Sequence, residues 1–276
     1  MKKWFAVIGD PIKHSKSPEM HHFWYEDMGE DAAYVPIHVA PEQLGQAVQS
    51  MKLLGTSGWN VTIPHKETII PYLDELDEQA KKMGAVNTVV RQADGTLKGY
   101  NTDGLGFVRS LEEAIGSKQK ADRVLVIGAG GAARGIAFAL QASGYTNMTV
   151  ANRTVEKAEA IVSEIGTGDA ISLQQAGERL ADYDILVQTT SAGLNDAFSM
   201  PFPLTNLKAD AIVADIVYNP LITPFLAAAQ QQGARIVTGV GMFVHQGAIA
   251  YEHWLQKTPN TNAMIARLME QLGGTK

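Results

Sequence analysis

Residues 123–135 read RVLVIGAGGAARG, and few segments of a chain constrain its fold so tightly. Val124, Leu125, Val126 and Ile127 form an unbroken, largely β-branched apolar run, as expected of a strand buried on both faces of a parallel sheet. Gly128, Gly130 and Ala133 follow in G-x-G-x-x-A spacing, so the strand should turn directly into a helix. The first glycine allows the tight turn, and the second lets backbone approach a pyrophosphate. A small third residue lets helix and sheet pack closely. The helix N-terminus then offers free N–H groups and a positive dipole end to the phosphates. A glycine turn also serves as a plain strand-to-helix corner. Here, however, a second strand, Met148 to Ala151, comes at the spacing of a βαβ unit. The segment is read as the dinucleotide site of a Rossmann-type domain.

The end of that second strand selects the cofactor. An NAD site carries Asp or Glu there to bond the ribose 2′-hydroxyl, whereas NADP needs neutral or cationic donors. The chain offers Asn152, Arg153 and Thr154, with Lys157 one turn on and no acid before Glu156. Arg153 can stack on adenine and pair with a 2′-phosphate. NADP is therefore expected. The plainer alternative makes Arg153 a solvated loop charge and Thr154 a helix N-cap.

A chain of 276 residues fits two domains of ordinary size. A net charge of −6 without a basic patch argues against nucleic acid as a partner. The absence of cysteine excludes disulfides, thiol catalysis and thiolate metal sites. No apolar run reaches membrane-spanning length, and the apolar part of MKKWFAVIGDP is too short for a signal peptide. The expected setting is the cytoplasm, with a small-molecule substrate and no membrane partner.

Strand and helix alternate through the first hundred residues. Trp4–Ile8 reads as a strand, followed by a helix opened by Ser17-Pro18. Tyr34–Val39 is a second strand, and a helix runs from Pro41 to about Leu54, stopped by Gly55. Trp59–Ile63 is a third strand, with Pro64 opening another helix. Ala85–Arg91 and Thr96–Tyr100 flank an Asp94-Gly95 turn, a hairpin signal. A helix over about Asp103–Ile115 leads to a polar linker, Gly116–Asp122. Beyond the dinucleotide turn, strands are expected at Asp169–Leu173, Ile185–Thr189, Ile212–Tyr218 and Arg235–Thr238. The expected class is α/β with two domains: a mostly parallel sheet at residues 1–103 and a Rossmann-type sheet at 104–241. Asn195–Pro203 is expected to be a mobile loop near the cofactor.

Polar residues gather where apolar strands of the first domain end: His14–Ser17, Asn60–Lys66, Asn87-Thr88 and Asn101–Asp103. Open α/β sheets bind ligands at the carboxyl ends of their strands, so these segments are expected to converge on one crevice. Lys66 falls in the first turn of the helix opened by Pro64. Its ammonium there opposes the positive dipole end, a poor place for stability and a good one for exchanging a proton with a substrate oxygen. An exposed surface lysine is the plainer reading. Asp103 either caps its helix alone or also meets Lys66 and orients the ammonium. Ser15 and Ser17, two apart in an extended stretch, offer hydroxyl donors, although Ser17 before Pro18 also suits an N-cap. His65, His21 and His22 form no metal pattern, and His65 is expected behind the site or facing solvent. No metal site is expected.

Taken together, S-K-S-P at 15–18, N-V-T-I-P-H-K at 60–66, G-A-V-N-T at 84–88 and G-Y-N-T-D-G at 99–104 resemble the shikimate dehydrogenase family. G-A-G-G-A at 128–132, N-R-T at 152–154, Y-N-P at 218–220 and G-x-G-M-x-V-H-Q-G at 239–247 extend that resemblance to nearly the whole chain. The resemblance implies NADPH-dependent reduction of 3-dehydroshikimate to shikimate in aromatic amino-acid biosynthesis. It implies Lys66 and Asp103 as the catalytic pair. Substrate positions would be Ser15, Ser17, Thr62, Lys66, Asn87, Asp103, Tyr218 and Gln246. Cofactor positions would be Gly128, Ala129, Gly130, Gly131, Ala132, Asn152, Arg153, Thr154, Lys157, Ile216, Gly239 and Met242. It further implies that 242–276 packs back on the first domain, in a monomer or homodimer. Gln188 stands where the family commonly has Asn, a departure expected to be harmless. Two alternatives stay open at this point: a quinate/shikimate dehydrogenase using NAD, and a dinucleotide sensor without catalysis.

Overall fold

The structure is a computed structural model that describes residues 2–116, 122–190 and 202–273. The expected linker and the expected loop at Asn195–Pro203 fall for the most part outside those residues. The chain divides into two compact units, one built from 2–102 with 246–264, the other from the described residues of 103–245 with 265–273. Residues 242–245 and 265–273 thus group with the second unit, and 246–264 with the first.

The first unit is a six-stranded sheet in the order β2-β1-β3-β5-β6-β4. Its strands are β1 (Lys3–Gly9), β2 (Ala32–His38), β3 (Gly58–Val61), β4 (Glu75–Leu76), β5 (Thr88–Arg91) and β6 (Leu97–Tyr100). All pairs are parallel except those of β5, which runs antiparallel to both β3 and β6. The β5–β6 hairpin closes as Asp94-Gly95 demands: Gly95 has φ +86°, and Asp94 accepts from the Thr96 backbone at 2.9 Å. The helices are α1 (Ser17–Asp27), α2 (Leu44–Leu53), α3 (His65–Thr68) and α4 (Glu78–Met83). Pro41 opens a single 3₁₀ turn, and α2 proper starts at Leu44. On β1, Ala6 and Ile8 face a core with Leu44, Val48 and Met51 of α2, while alternate residues face the other way, as a period of two requires. There Phe5 stacks on Trp254, whose indole N–H donates to the Val89 carbonyl at 3.0 Å.

The second unit is a six-stranded, wholly parallel sheet in the order β12-β11-β10-β7-β8-β9. The helix α5 (Asp103–Ile115) precedes β7 (Val124–Ile127), α6 (Gly131–Ala142), β8 (Met148–Asn152), α7 (Val155–Ile165) and β9 (Asp169–Ser172). Then come α8 (Leu173–Glu178), β10 (Ile185–Gln188), β11 (Ile212–Asp215), α9 (Pro224–Gln231) and β12 (Arg235–Val237). Two cores cover the two faces, one around Val126, Ile136 and Ile161, the other around Leu125, Leu186 and Phe225. Helices α10 (Gly239–Leu255) and α11 (Thr261–Gln271) close the chain. This strand order is the doubly wound Rossmann arrangement, and its reversal lies between β7 and β10, where such sheets bind ligands. No helix among the described residues is long and apolar enough to cross a membrane.

Candidate functional site

At the rim of the first sheet, the segment Asn60–Lys66 is fixed by backbone bonds from several strands. Val61 N–H donates to the Asn87 carbonyl at 2.8 Å and Thr62 N–H to that of Ile8 at 3.0 Å. Val86 N–H donates to the Lys66 carbonyl at 2.7 Å, seating the lysine backbone next to Asn87. His65 is fully buried, and its Nε2–H donates to the Val39 carbonyl at 2.7 Å. Of the two readings of His65, burial excludes the solvent-facing one and agrees with a place behind the site; the ring ties the segment to the chain just after β2. Lys66 itself is half-buried. Helix α3 is one turn long, so it carries little macrodipole, and the dipole argument for Lys66 loses its physical basis.

Asn87 and Thr88 do not follow a strand; Asn87 immediately precedes β5 and Thr88 begins it. Because β5 alone runs antiparallel, its start lies on the same rim as the carboxyl ends of β1, β3 and β6. Asn87 is 3 % exposed. Its amide donates to Thr102 Oγ1 at 2.9 Å, its oxygen accepts from Thr102 N–H at 2.9 Å, and Gln246 Oε1 lies 3.5 Å from Nδ2. Thr102 also donates to the Gln246 carbonyl at 3.0 Å. Two expected substrate positions, Asn87 and Gln246, are thus held together inside one unit. Ser17 sits in the first turn of α1 and is not its cap; Lys16 holds that place in a helical conformation, without a side-chain cap. Ser15 Oγ accepts from Ser17 N–H at 3.3 Å. The serines therefore lie on a turn and not on an extended stretch.

In the second unit, Asp103 is the first residue of α5, inside the helix where the sequence suggested a cap. Gly104 follows, and a Cβ there would lie 2.4 Å from the Gly135 carbonyl, so α5 and α6 meet backbone to backbone. Gly128 has φ +116°, and a Cβ on it would lie 2.6 Å from Thr189 Oγ1. At Gly130 and Gly131 an added Cβ would meet nothing within 4 Å among the described residues, so side-chain space is open beside the first turn of α6. Ala129 is half-buried and Ala132 exposed beside them, while Ala133 is fully buried against the sheet, as close packing requires. Thr154 holds the N-cap position of α7 without a side-chain bond; instead Asn152 Nδ2 donates to the Thr154 carbonyl at 2.8 Å. Arg153 and Lys157 are exposed, with no ion-pair partner among the described residues. Open backbone donors, a positive-φ glycine and two unpaired cations together fit a phosphorylated dinucleotide.

Ile216 and Met242 both pack on the core that holds α6, and a Cβ on Gly239 would lie 2.5 Å from the Ile216 carbonyl. Ile216 and Gly239 are therefore in contact, and Met242 packs on the same core as Ile216. Tyr218 stacks on Phe243 at 4.7 Å, and burial raises the pKa of its phenol, keeping it a donor at neutral pH. Asp215, a buried carboxyl at the end of β11, belongs to no motif that the sequence analysis singled out. It accepts from Val217 N–H at 3.0 Å and Thr223 Oγ1 at 2.7 Å, and burial raises its pKa. It shapes the turn that carries Ile216 and Tyr218. Gln188 is fully buried, and its Oε1 accepts from both N–H and O–H of Thr190 at 3.0 Å, holding that residue just after β10. Among the described residues no group of three or more His, Asp or Glu is placed to hold a metal ion.

Three family profiles match the sequence: a shikimate dehydrogenase substrate binding domain over 7–89, shikimate / quinate 5-dehydrogenase over 110–195, and a shikimate 5′-dehydrogenase C-terminal domain over 239–269. The chain is 68 % identical to shikimate dehydrogenase (NADP(+)) of Lysinibacillus sphaericus, covering 99 % of this chain and 100 % of the relative. It is 47 % identical to the enzyme of the same name from Geobacillus kaustophilus, over 99 % of both chains. The crystal structure of Thermus thermophilus shikimate 5-dehydrogenase, in complex with NADP(H) and shikimate, is 35 % identical with a TM-score of 0.87, covering 97 % of this chain and 99 % of that one.

Proposed function

The chain belongs to the shikimate dehydrogenase family, and from that premise we propose how its own residues divide the work. It is an NADP-dependent oxidoreductase acting on a CH–OH group, interconverting 3-dehydroshikimate and shikimate in aromatic amino-acid biosynthesis. The first unit is the substrate domain and the second the NADP domain. Gly128 to Ala132 receive the pyrophosphate, and Asn152, Arg153, Thr154 and Lys157 receive the 2′-phosphate. Ile216, Gly239 and Met242 border the nicotinamide. Bound NADPH supplies a hydride to the C3 carbonyl of the substrate.

Lys66 gives the proton to the C3 oxygen in reduction and takes it back in oxidation, and Asp103 orients its ammonium. Ser15 and Ser17 grip the ring carboxylate. Thr62, Asn87, Tyr218 and Gln246 bond the ring oxygens. The observation that carries this reading is the bonding of the Lys66 backbone to Val86, which seats a lysine beside the buried, fully directed amide of Asn87. A cysteine-free composition is compatible with the cytoplasmic setting we propose.

General acid–base assistance contributes on the order of 10²–10⁴-fold. Lys66→Ala is therefore expected to lower turnover at least about a hundredfold. NADPH should still bind, as read from nicotinamide fluorescence. Wild-type turnover in that variant would remove Lys66 from the chemistry.

A further inference from the structure

We propose that Tyr34 is a positioning residue for substrate, acting through Asn60 on Asn87; the inference rests on the reading of Asn87 as a substrate contact. Tyr34 lies on β2, with no exposed surface, and its phenol donates to Asn60 Oδ1 at 2.6 Å. Asn60 Nδ2 donates to the Asn87 carbonyl at 3.1 Å and to Thr88 Oγ1 at 3.0 Å. Thr88 Oγ1 in turn donates to Asn87 Oδ1 at 3.0 Å. Both hydrogens of the Asn60 amide are thereby engaged, so its oxygen has to face the phenol. The direction of the Asn87 amide follows from this chain together with its bonds to Thr102.

Tyr34 is itself held firmly. His21 of α1 stacks on its ring at 4.3 Å and 8°, and its backbone N–H donates to His22 Nε2 at 3.2 Å. One buried tyrosine therefore joins the His21 ring of α1 to Asn60 and, through it, to Asn87. Burial holds the pKa of that phenol well above the usual tyrosine range, so it remains a donor throughout the working pH range.

Without the hydroxyl, Asn60 Oδ1 becomes a buried acceptor with a lost partner, and the amide turns to find another. The Asn87 amide then loses its fixed direction. The effect falls on substrate binding and not on the hydride or proton steps.

The test is Tyr34→Phe, assayed with shikimate and NADP⁺. The KM for shikimate should rise about tenfold, the scale of one lost buried hydrogen bond. The kcat should stay within about twofold and the KM for NADP⁺ should not change, because both lie outside the network. KM does not depend on how much of the variant folds, so reduced yield leaves the result readable. A second arm uses Asn60→Ala with and without Tyr34→Phe. If the two residues act in series, the double variant has the shikimate KM of Asn60→Ala alone. An unchanged shikimate KM in Tyr34→Phe, or additive effects in the double variant, overturns the proposal. Absence of shikimate turnover in the unaltered enzyme would instead overturn the functional reading itself.

Discussion

His21 lies in the middle of the first unit, edge-on to Trp24 at 5.4 Å and flat against Tyr34, with neither ring nitrogen bonded. Burial, with a smaller contribution from His22, lowers its pKa from 6.5 to about 3. The folded site thus refuses a proton that the unfolded chain accepts below pH 6.5, and stability falls as pH drops through that window. At pH 5.0, about 1.5 units lower, roughly 1.36 kcal/mol per unit amounts to about 2 kcal/mol against the folded state. His21→Phe keeps a flat ring against Tyr34 and removes the titration. The assay is urea unfolding at pH 7.5 and 5.0, followed by tryptophan fluorescence. All four tryptophans, Trp4, Trp24, Trp59 and Trp254, belong to the first unit, so the signal reads that unit. Wild type should lose about 2 kcal/mol more than the variant between the two pH values. This is a difference of differences, insensitive to any packing change common to both. Equal losses would show that His21 accepts its proton in the folded state and would refute the reasoning.

Gly128→Ala places a Cβ at φ +116° and 2.6 Å from Thr189 Oγ1, which is committed to the Ile127 carbonyl at 2.8 Å. The strain should cost about 1–3 kcal/mol by calorimetry. NADPH affinity should fall with it, and an unaffected variant would mean that the turn relaxes freely. Arg153→Ala should raise the KM for NADPH about 10–100-fold, the value of a charge-assisted bond, and leave that for NADH unchanged. Equal changes for both cofactors would give Arg153 a role outside 2′-phosphate recognition.

Local pattern carried much of the fold into view. The apolar run of β7 and the amphipathic α5 match the structure residue for residue, because each signal is complete within its own segment. The short elements β4, α4 and α8 escaped because, unlike β7, they carry neither an unbroken apolar run nor a clear period. The Asp94-Gly95 signal announces an antiparallel pair, and β5–β6 is one; which of the two strands runs against the rest of the sheet stayed hidden for a different reason. A strand reads alike in either sense, and only its partners decide. The same holds for the site. Gly128 and Arg153 stand out by residue type and spacing. The burial of His65 and the Tyr34–Asn60–Asn87 connection depend on partners 26 or 27 residues away, which no local motif records.

The reversal of β5 has a structural return. A parallel crossover spends a dozen or more residues, usually a helix, merely to reach the opposite end of the sheet, and a further strand must follow before the chain regains the rim it left. The β5–β6 hairpin instead leaves the rim at Asn87 and is back at Thr102, so both residues reach the same edge on a single short excursion. Its tip, Asp94-Gly95, lies at the opposite edge of the sheet. That tip is the natural place to graft a peptide or a label, since extra length there lengthens the loop without altering the pairing that aligns Asn87 with Thr102.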